Sequence, residues 1–422
     1  MPNGARIYYL NRSQPPMLTQ MVDTYISVTN DVSRLTSWLQ TLDNEYRFWK
    51  ANRTVSFTTP GGKSVYLLRY DVLNSRPRPE AYLPDVNAVE GGNFRSQQAA
   101  DLYAAIASAA ESGWDFSSRW VNIPRNHTAQ TENLRQLRTN TIIPVDLNSI
   151  MYINQVALQK LHTMQTAASP HGPAMFYRRE ATRQQLAMWE VFWDDARKVW
   201  RDWDWKAQKR RDDFNAAVFW PFWSGAALTD PRANRDGNRG IIPLPKNHLM
   251  NKGPPMPPGH RDPYGVPMGY GVLSDTTDKS TACDYLIKPF DELEYILHTW
   301  PGGIATTFYN TSMQWDLPNA WPPEQLIVLL ALDKTIQILP SVPSCPPETQ
   351  KHLSNMQLRL AQNYITAAFC SWRITGGDLV SMPAIRTNVT DMNGTMFEKF
   401  DVTEAKGGAG SGGEYEVQTG FG

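Results

Sequence analysis

The chain has 422 residues, with 41 Lys plus Arg against 41 Asp plus Glu, so no net field draws it to nucleic acid or to an anionic membrane. Hydrophobic residues make up 41%, enough for a large core, in a length that suits two or three average domains or one large barrel. With 15 Trp, 17 Tyr and 15 Phe, the composition fits a cleft for a neutral sugar, whose C–H faces lie on rings, as well as ordinary core.

Residues 1–16 read as an irregular polar loop ending in Pro15-Pro16, after which the chain becomes helical. Asn30 is a candidate N-cap for an amphipathic helix carrying Val32, Leu35, Leu39, Leu42, Tyr46 and Trp49 at steps of three and four. Val55, Phe57, the Pro60-Gly61-Gly62 turn, Val65, Leu67 and Tyr70 predict a small hairpin over 54–72. Further helices are predicted over 95–112, 146–169, 178–194 with a charged end continuing towards Arg211, 290–299, 323–337 and 347–372. Lys209-Arg210-Arg211 reads as a solvated face. Residues 229–275, rich in Pro, Gly, Asn and charge, read as an irregular surface excursion. An all-α protein follows, with its polar chemistry gathered in the loops: stacked antiparallel helix pairs closing into a barrel, or a large irregular bundle.

Cys283, Cys345 and Cys370 lack CxxC spacing, so neither zinc nor a disulfide framework is predicted. The seven histidines show no HExxH pairing, and no metal or other cofactor is expected. The longest apolar run, Leu326 to Leu332, is too short for a transmembrane helix. The first residues make no signal peptide. Sequons at Asn11, Asn52, Asn126, Asn310, Asn388 and Asn393 are a hint of secretion.

The most informative stretch is Glu111-Ser-Gly-Trp-Asp-Phe-Ser-Ser-Arg-Trp120. It sets Asp115 between Trp114 and Phe116, where poor hydration raises a carboxyl pKa and lets it hold a proton, half of a glycosidase site. Read alone, Asp115 is as readily a helix cap. Residues 2–16 gather Asn3, Ser13 and Gln14 with Arg12, and 76–80 hold Arg78 and Glu80 on a proline-stiffened backbone, where a plain surface pair is the alternative. Residues 314–323, Gln-Trp-Asp-Leu-Pro-Asn-Ala-Trp-Pro-Pro, follow Pro301-Gly302-Gly303 and could equally plug a helix interface. Glu398 precedes the glycine-rich run 406–414, which reads as a flexible segment, and more sharply as a lid, rather than a phosphate cradle.

Together these stretches resemble the trehalase family of inverting glycoside hydrolases. Residues 314–323 fit its second signature, and PNGARIYYLNRSQPP, RPRPE, ESGWDFSSRW, PVDLN, EKFDV and GGEYEVQTGFG look like its other blocks, in order. The resemblance implies one catalytic domain over 1–422, an (α/α)6 barrel, and hydrolysis of α,α-trehalose to two glucoses with inversion. It implies Asp115 as general acid, Glu398 as general base, and Asn3, Arg12, Ser13, Gln14, Arg78, Glu80, Gly113 and Glu414 as sugar contacts. Together with the sequons it points to a secreted or membrane-anchored protein.

The family's first signature, PGGRF-x-E-x-Y-x-W-D, is absent, and the chain stops at Gly422, where the family continues into a closing helix. The expectation is a barrel incomplete at its N-terminus. Ala305 and Met313 also depart from the usual pattern. A sugar-binding or regulatory fragment and another glucosidase on the same barrel are the alternatives.

Overall fold

The computed structural model describes residues 2–3, 6–122, 130–165, 171–229, 279–378, 394–404 and 410. Most of the predicted excursion over 229–275, most of the predicted lid over 406–414, and Glu414 therefore lie outside the described residues.

α1 spans Leu18–Thr29 and α2 Leu35–Arg53. Asn30 closes α1 rather than opening α2: it sits in the left-handed region at φ 56 and donates its N–H to the Ile26 carbonyl. Asparagine tolerates that conformation, so the residue that signals a start also serves as a stop. Leu35, Leu39, Leu42, Tyr46 and Trp49 are buried as their spacing predicts, whereas Val32 lies outside the helix, exposed. Strands Thr54–Thr58 and Ser64–Leu68 then form the expected antiparallel hairpin.

α3 (Tyr82–Glu90) and α4 (Ser96–Ser112) follow. α4 ends at Gly113, whose φ of 79 fits the residue that can turn there without a Cβ penalty. After the short α5 (Gln130–Leu134), α6 (Val145–Gln165) is buried on nearly every side, because α7 (Pro173–Val191), α1, α2 and the later α8 (Trp220–Ser224) all pack against it. Its Asn148 and Asn154 are satisfied internally: Asn148 bonds Leu68 on both N–H and C=O, and Asn154 donates to the Pro16 carbonyl at 2.7 Å.

α7 stops before the predicted end. Trp193–Asp194 pairs with Val199–Trp200, and Trp203–Asp204 pairs with both Lys209–Arg210 and Ile142–Ile143. The Asp194 and Asp204 carboxylates accept two backbone N–H groups each just ahead, folding both Trp-Asp segments into tight turns that outcompete the helix. The charged end is not one solvated face either. Arg211 is buried and donates to the Val121 carbonyl, and Arg210 is half-buried against the Glu190 carbonyl.

α8 (Trp220–Ser224), α9 (Lys279–Ile287), α10 (Asp291–Thr299), α11 (Pro322–Ile338) and α12 (Pro347–Ile374) complete the helical layers, with α11 packed between α8 and α12. One apolar core runs from Ile26 to Leu360. No described helix is long and apolar enough to cross a membrane.

The cysteines overturn the sequence reading. Cys283 of α9 and Cys345, just ahead of α12, form a disulfide across 62 residues with Cα atoms 5.0 Å apart. Pairing depends on tertiary proximity, which spacing along the chain does not reveal. Denatured but unreduced protein should therefore titrate one thiol, Cys370; three thiols would contradict the bridge. Cys345→Ala should lower stability by about 2–4 kcal/mol, read as an earlier urea midpoint.

Candidate active site

The site is built by one loop, residues 314–321, that grips two distant segments. On one side the buried Asp316 carboxylate accepts hydrogen bonds from Ser117 Oγ (2.9 Å), Ser118 N (2.9 Å), Ser118 Oγ (2.8 Å), Thr307 Oγ1 (2.9 Å) and Thr311 Oγ1. Gln314 Nε2 donates to the Asp115 carbonyl, and Trp315 N donates to the Phe116 carbonyl at 3.0 Å. On the other side Asn319–Ala320 pairs antiparallel with Phe400–Asp401, which anchors Glu398. Gly302 lies under that pair. A Cβ there would come within 2.7 Å of Asp401 O, so only glycine allows the approach.

Three indoles stiffen the loop. Trp114 stacks on Trp315 with centroids 5.3 Å apart, and Trp315 stacks on Trp321 at 4.0 Å with rings parallel to within 1°. Trp321 Nε1 donates to the Gln314 carbonyl, and Lys399 Nζ lies 5.3 Å from the Trp321 ring centre. The Trp-Pro block is thus both an interface plug and the mount of the site.

Asp115 is not the cap. Ser117 caps the short 3-10 turn Ser118–Trp120 by accepting from Arg119 N at 3.1 Å. Asp115 keeps part of its surface open, yet protein atoms crowd its carboxyl. Burial pushes its pKa up to about 6 against the pull of Arg78 and Arg12, and the Glu398 charge adds to the rise. Glu398 is half-buried. Burial raises its pKa too, countered by Lys399. The arginines act on Asp115, and the cation that favours ionised Glu398 is its sequence neighbour.

The predicted sugar contacts divide. Arg12 pairs with Glu80, both side chains almost fully buried, and its guanidinium sits 5.2 Å from the Tyr9 ring centre. Arg78 is held by Asp85 through Nε (3.0 Å) and Nη2 (2.8 Å) and lies 5.2 Å from the Phe116 ring centre. Arg78 and Glu80 therefore do not make the surface pair with each other that RPRPE allowed; each has a buried partner elsewhere. Ser13 and Gln14 fasten the N-terminal loop to the end of α4, through Ser13 N to Glu111 (2.9 Å) and Gln14 Nε2 to the Ala110 carbonyl (3.2 Å). Gly113 ends that helix beside Gln14. Asn3 lies in a short strand paired with Arg6–Ile7; its side chain and all of Glu414 lie outside the described residues. Gly410, the described residue of the glycine-rich run, donates its N–H to the Lys399 carbonyl at 2.9 Å.

Sequence reasoning did not single out Arg119, Asp146 and Asp202 as a unit. Arg119 lies fully buried between both carboxylates at 2.7–2.9 Å, over the Trp114 and Trp120 rings at 4.5 Å. The two charges hold its pKa well above normal, and Arg119 in turn holds Asp202 low. This triad joins SSRW to PVDLN, two blocks that the sequence set in family order without showing that their charges meet. Glu111 with Arg53 makes a second buried pair at 2.6–2.7 Å.

A groove of about 740 Å³ lies apart from this loop, between the 54–68 hairpin and α7, lined by Lys50, Lys63, Tyr66, Glu180 and Glu190 among others. Its charges are paired across it, Lys50 with Glu180 and Lys63 with Glu190, and it contains none of the residues above. Among the described residues no group of three or more His, Cys, Asp or Glu could hold a metal ion.

The trehalase family profile matches residues 1–249 and 266–422. This chain belongs to the trehalase family. It is 34% identical to a trehalase of Apis mellifera, 32% to one of Dictyostelium discoideum and 30% to one of Homo sapiens, each over its whole length. The chain spans 53%, 57% and 56% of those trehalases. Its structure is similar to that of a neutral trehalase from Saccharomyces cerevisiae, with TM-score 0.54 and 18% identity over 94% of this chain and 60% of that one. That likeness and the packed helices agree with the expected (α/α)6 barrel.

The Asp115 shift fixes a pH dependence of stability. Its folded pKa, about 6, lies above the ordinary 3.8, so the folded state keeps a proton that the unfolded state releases. Stability from this group is full below pH 3.8 and is lost as pH rises through 6. Asp115→Asn should therefore melt higher than the parent above pH 6, by up to about 3 kcal/mol, with the gap closing towards pH 4. A variant less stable at pH 7 would contradict the unpaired, proton-holding carboxyl.

Proposed function

We propose that this chain hydrolyses α,α-trehalose to two glucose molecules with inversion, Asp115 acting as general acid and Glu398 as general base. The observation that carries the reading is that one loop holds the backbone of Asp115 and the segment beside Glu398, distant in sequence, so that the Glu398 charge acts on Asp115. Similarity to trehalases along the whole chain supports trehalose as the substrate.

Asp115 protonates the bridging oxygen while Glu398 takes a proton from a water attacking the anomeric carbon on the opposite face; that geometry needs the carboxyls roughly 6.5–9.5 Å apart. Burial gives each carboxyl what its role requires: Asp115 keeps its proton to about pH 6, and Glu398 becomes a stronger base. Arg12 and Arg78 present any N–H groups not engaged by Glu80 and Asp85 to sugar hydroxyls. Asn3, Ser13, Gln14, Glu80, Gly113 and Glu414 complete the assigned sugar contacts. These steps use only side chains and water, and a neutral disaccharide suits a chain without net charge.

Glucose release from trehalose should fall by about 100- to 10,000-fold in Asp115→Asn and in Glu398→Gln, with the cooperative thermal transition kept. The parent's kcat/KM should decline above about pH 6, as Asp115 loses its proton, and at acid pH, as Glu398 gains one. Near-parent turnover in either variant overturns the assigned roles, and no release by a cooperatively folded parent overturns the activity.

A further inference from the structure

Gln314 touches the acid directly and has one side-chain atom that nothing engages. Its Nε2 donates to the Asp115 carbonyl, and the N–H of Trp315 donates to the Phe116 carbonyl at 3.0 Å. The first contact fixes which way the amide faces, since turning it over would set one carbonyl oxygen against another. The Gln314 carbonyl is engaged too, accepting from Asn319 Nδ2 and Trp321 Nε1, each at 2.9 Å.

What remains is Oε1, which is buried and accepts from no donor among the described residues. Buried polar atoms ordinarily have a partner, so this one calls for an explanation. The unpaired indole nitrogens of Trp49, Trp200 and Trp203 belong to side chains sealed in the core, whereas Gln314 keeps part of its surface open. Glu398 Oε2 is buried and unpaired in the same way, and the chemistry above gives it the attacking water. Arg12 Nε is a third such atom, on a residue already assigned to the sugar.

We propose that Gln314 ties the acid to the substrate: while Nε2 holds the Asp115 carbonyl, Oε1 accepts a hydrogen bond from one sugar hydroxyl beside the scissile bond. An amide oxygen accepts and never donates, so only an O–H or N–H satisfies it, and a neutral disaccharide offers O–H alone. One amide carries both atoms, so the hydroxyl it reads is one close to Asp115. The proposal rests on the reading of Asp115 as acid and adds a contact that tells hydroxyls apart at that point.

The test is a double-mutant cycle between enzyme and sugar. kcat/KM is measured for the parent and for Gln314→Met on trehalose and on four analogues, each lacking one hydroxyl, at carbon 2, 3, 4 or 6, from both rings. Deletion from both rings leaves no orientation of the symmetric sugar that escapes the loss. Met keeps the length of Gln and removes the amide donor and acceptor together. Each hydroxyl that the site reads should carry a penalty in the parent of about 10-fold or more. One of those penalties should shrink by about 5-fold or more in the Met variant, while the others stay within about 2-fold. A residue that only braced the loop would lower all five substrates by one common factor. Gln314→Glu keeps an acceptor oxygen and should keep the parent's preference, whatever its overall rate.

Penalties that are the same in parent and Met variant for every analogue overturn the proposal, as does a Glu variant that has lost the parent's preference. If the Met chain shows no cooperative thermal transition, the Glu variant decides alone. A parent that releases no glucose removes the hydrolysis reading, and the panel is then read as Kd by calorimetric titration of the uncleaved sugars. The same coupling to a single analogue upholds the Gln314 contact there. Its absence, or the absence of any binding, overturns it.

Discussion

The Asp316 carboxylate is the interaction on which the site depends. It is fully buried, and burial raises its pKa against the donors that surround it. Its partners are four hydroxyls and one backbone N–H, from segments as far as 199 residues apart along the chain. Hydrogen bonds to a buried charge contribute more than neutral ones, and removing the acceptor would leave several buried donors unsatisfied. The loop that carries Asp316 also carries Asn319–Ala320, which holds the Glu398 segment in register. Asp115 and Glu398 are therefore referred to one piece of backbone, braced by the Trp114–Trp315–Trp321 stack.

Around this mount the charges fall into two groups. Arg53 with Glu111, Arg78 with Asp85, and Arg119 with Asp146 and Asp202 are short, buried and mutually saturated. Such pairs add specificity of geometry more than net stability. Asp115 and Glu398 form no ion pair with Lys or Arg among the described residues, and both have raised pKa values. Arg12 and Arg78, the cations that act on Asp115, are already paired with Glu80 and Asp85, so burial prevails and the Asp115 pKa stays raised. The two groups are linked: pairing elsewhere leaves these carboxyls without a cation of their own.

The helices were legible wherever apolar spacing was strong, as in Leu35 to Trp49 and Leu353 to Leu360, because burial of one face sets that spacing. The boundaries that failed did so for local polar reasons. Asn30 can stop a helix as readily as start one, and the Asp194 and Asp204 turns override helical periodicity. The Cys283–Cys345 bridge was invisible because spacing says nothing of proximity. At the site, the proton-holding environment of Asp115 could be read from its flanking rings. The hub role of Asp316 and the Arg119 triad could not, since each joins segments that only the fold brings together.

In the proposed mechanism two carboxyls act from opposite faces of one glycosidic bond. The most direct test is the anomeric form of glucose in the first moments of trehalose cleavage, followed by proton NMR before mutarotation. Attack by water on the face opposite the leaving oxygen predicts equal amounts of α- and β-glucose at the start, the β form from the attacked ring. Initial release of α-glucose alone would mean net retention and would contradict the roles given to Asp115 and Glu398.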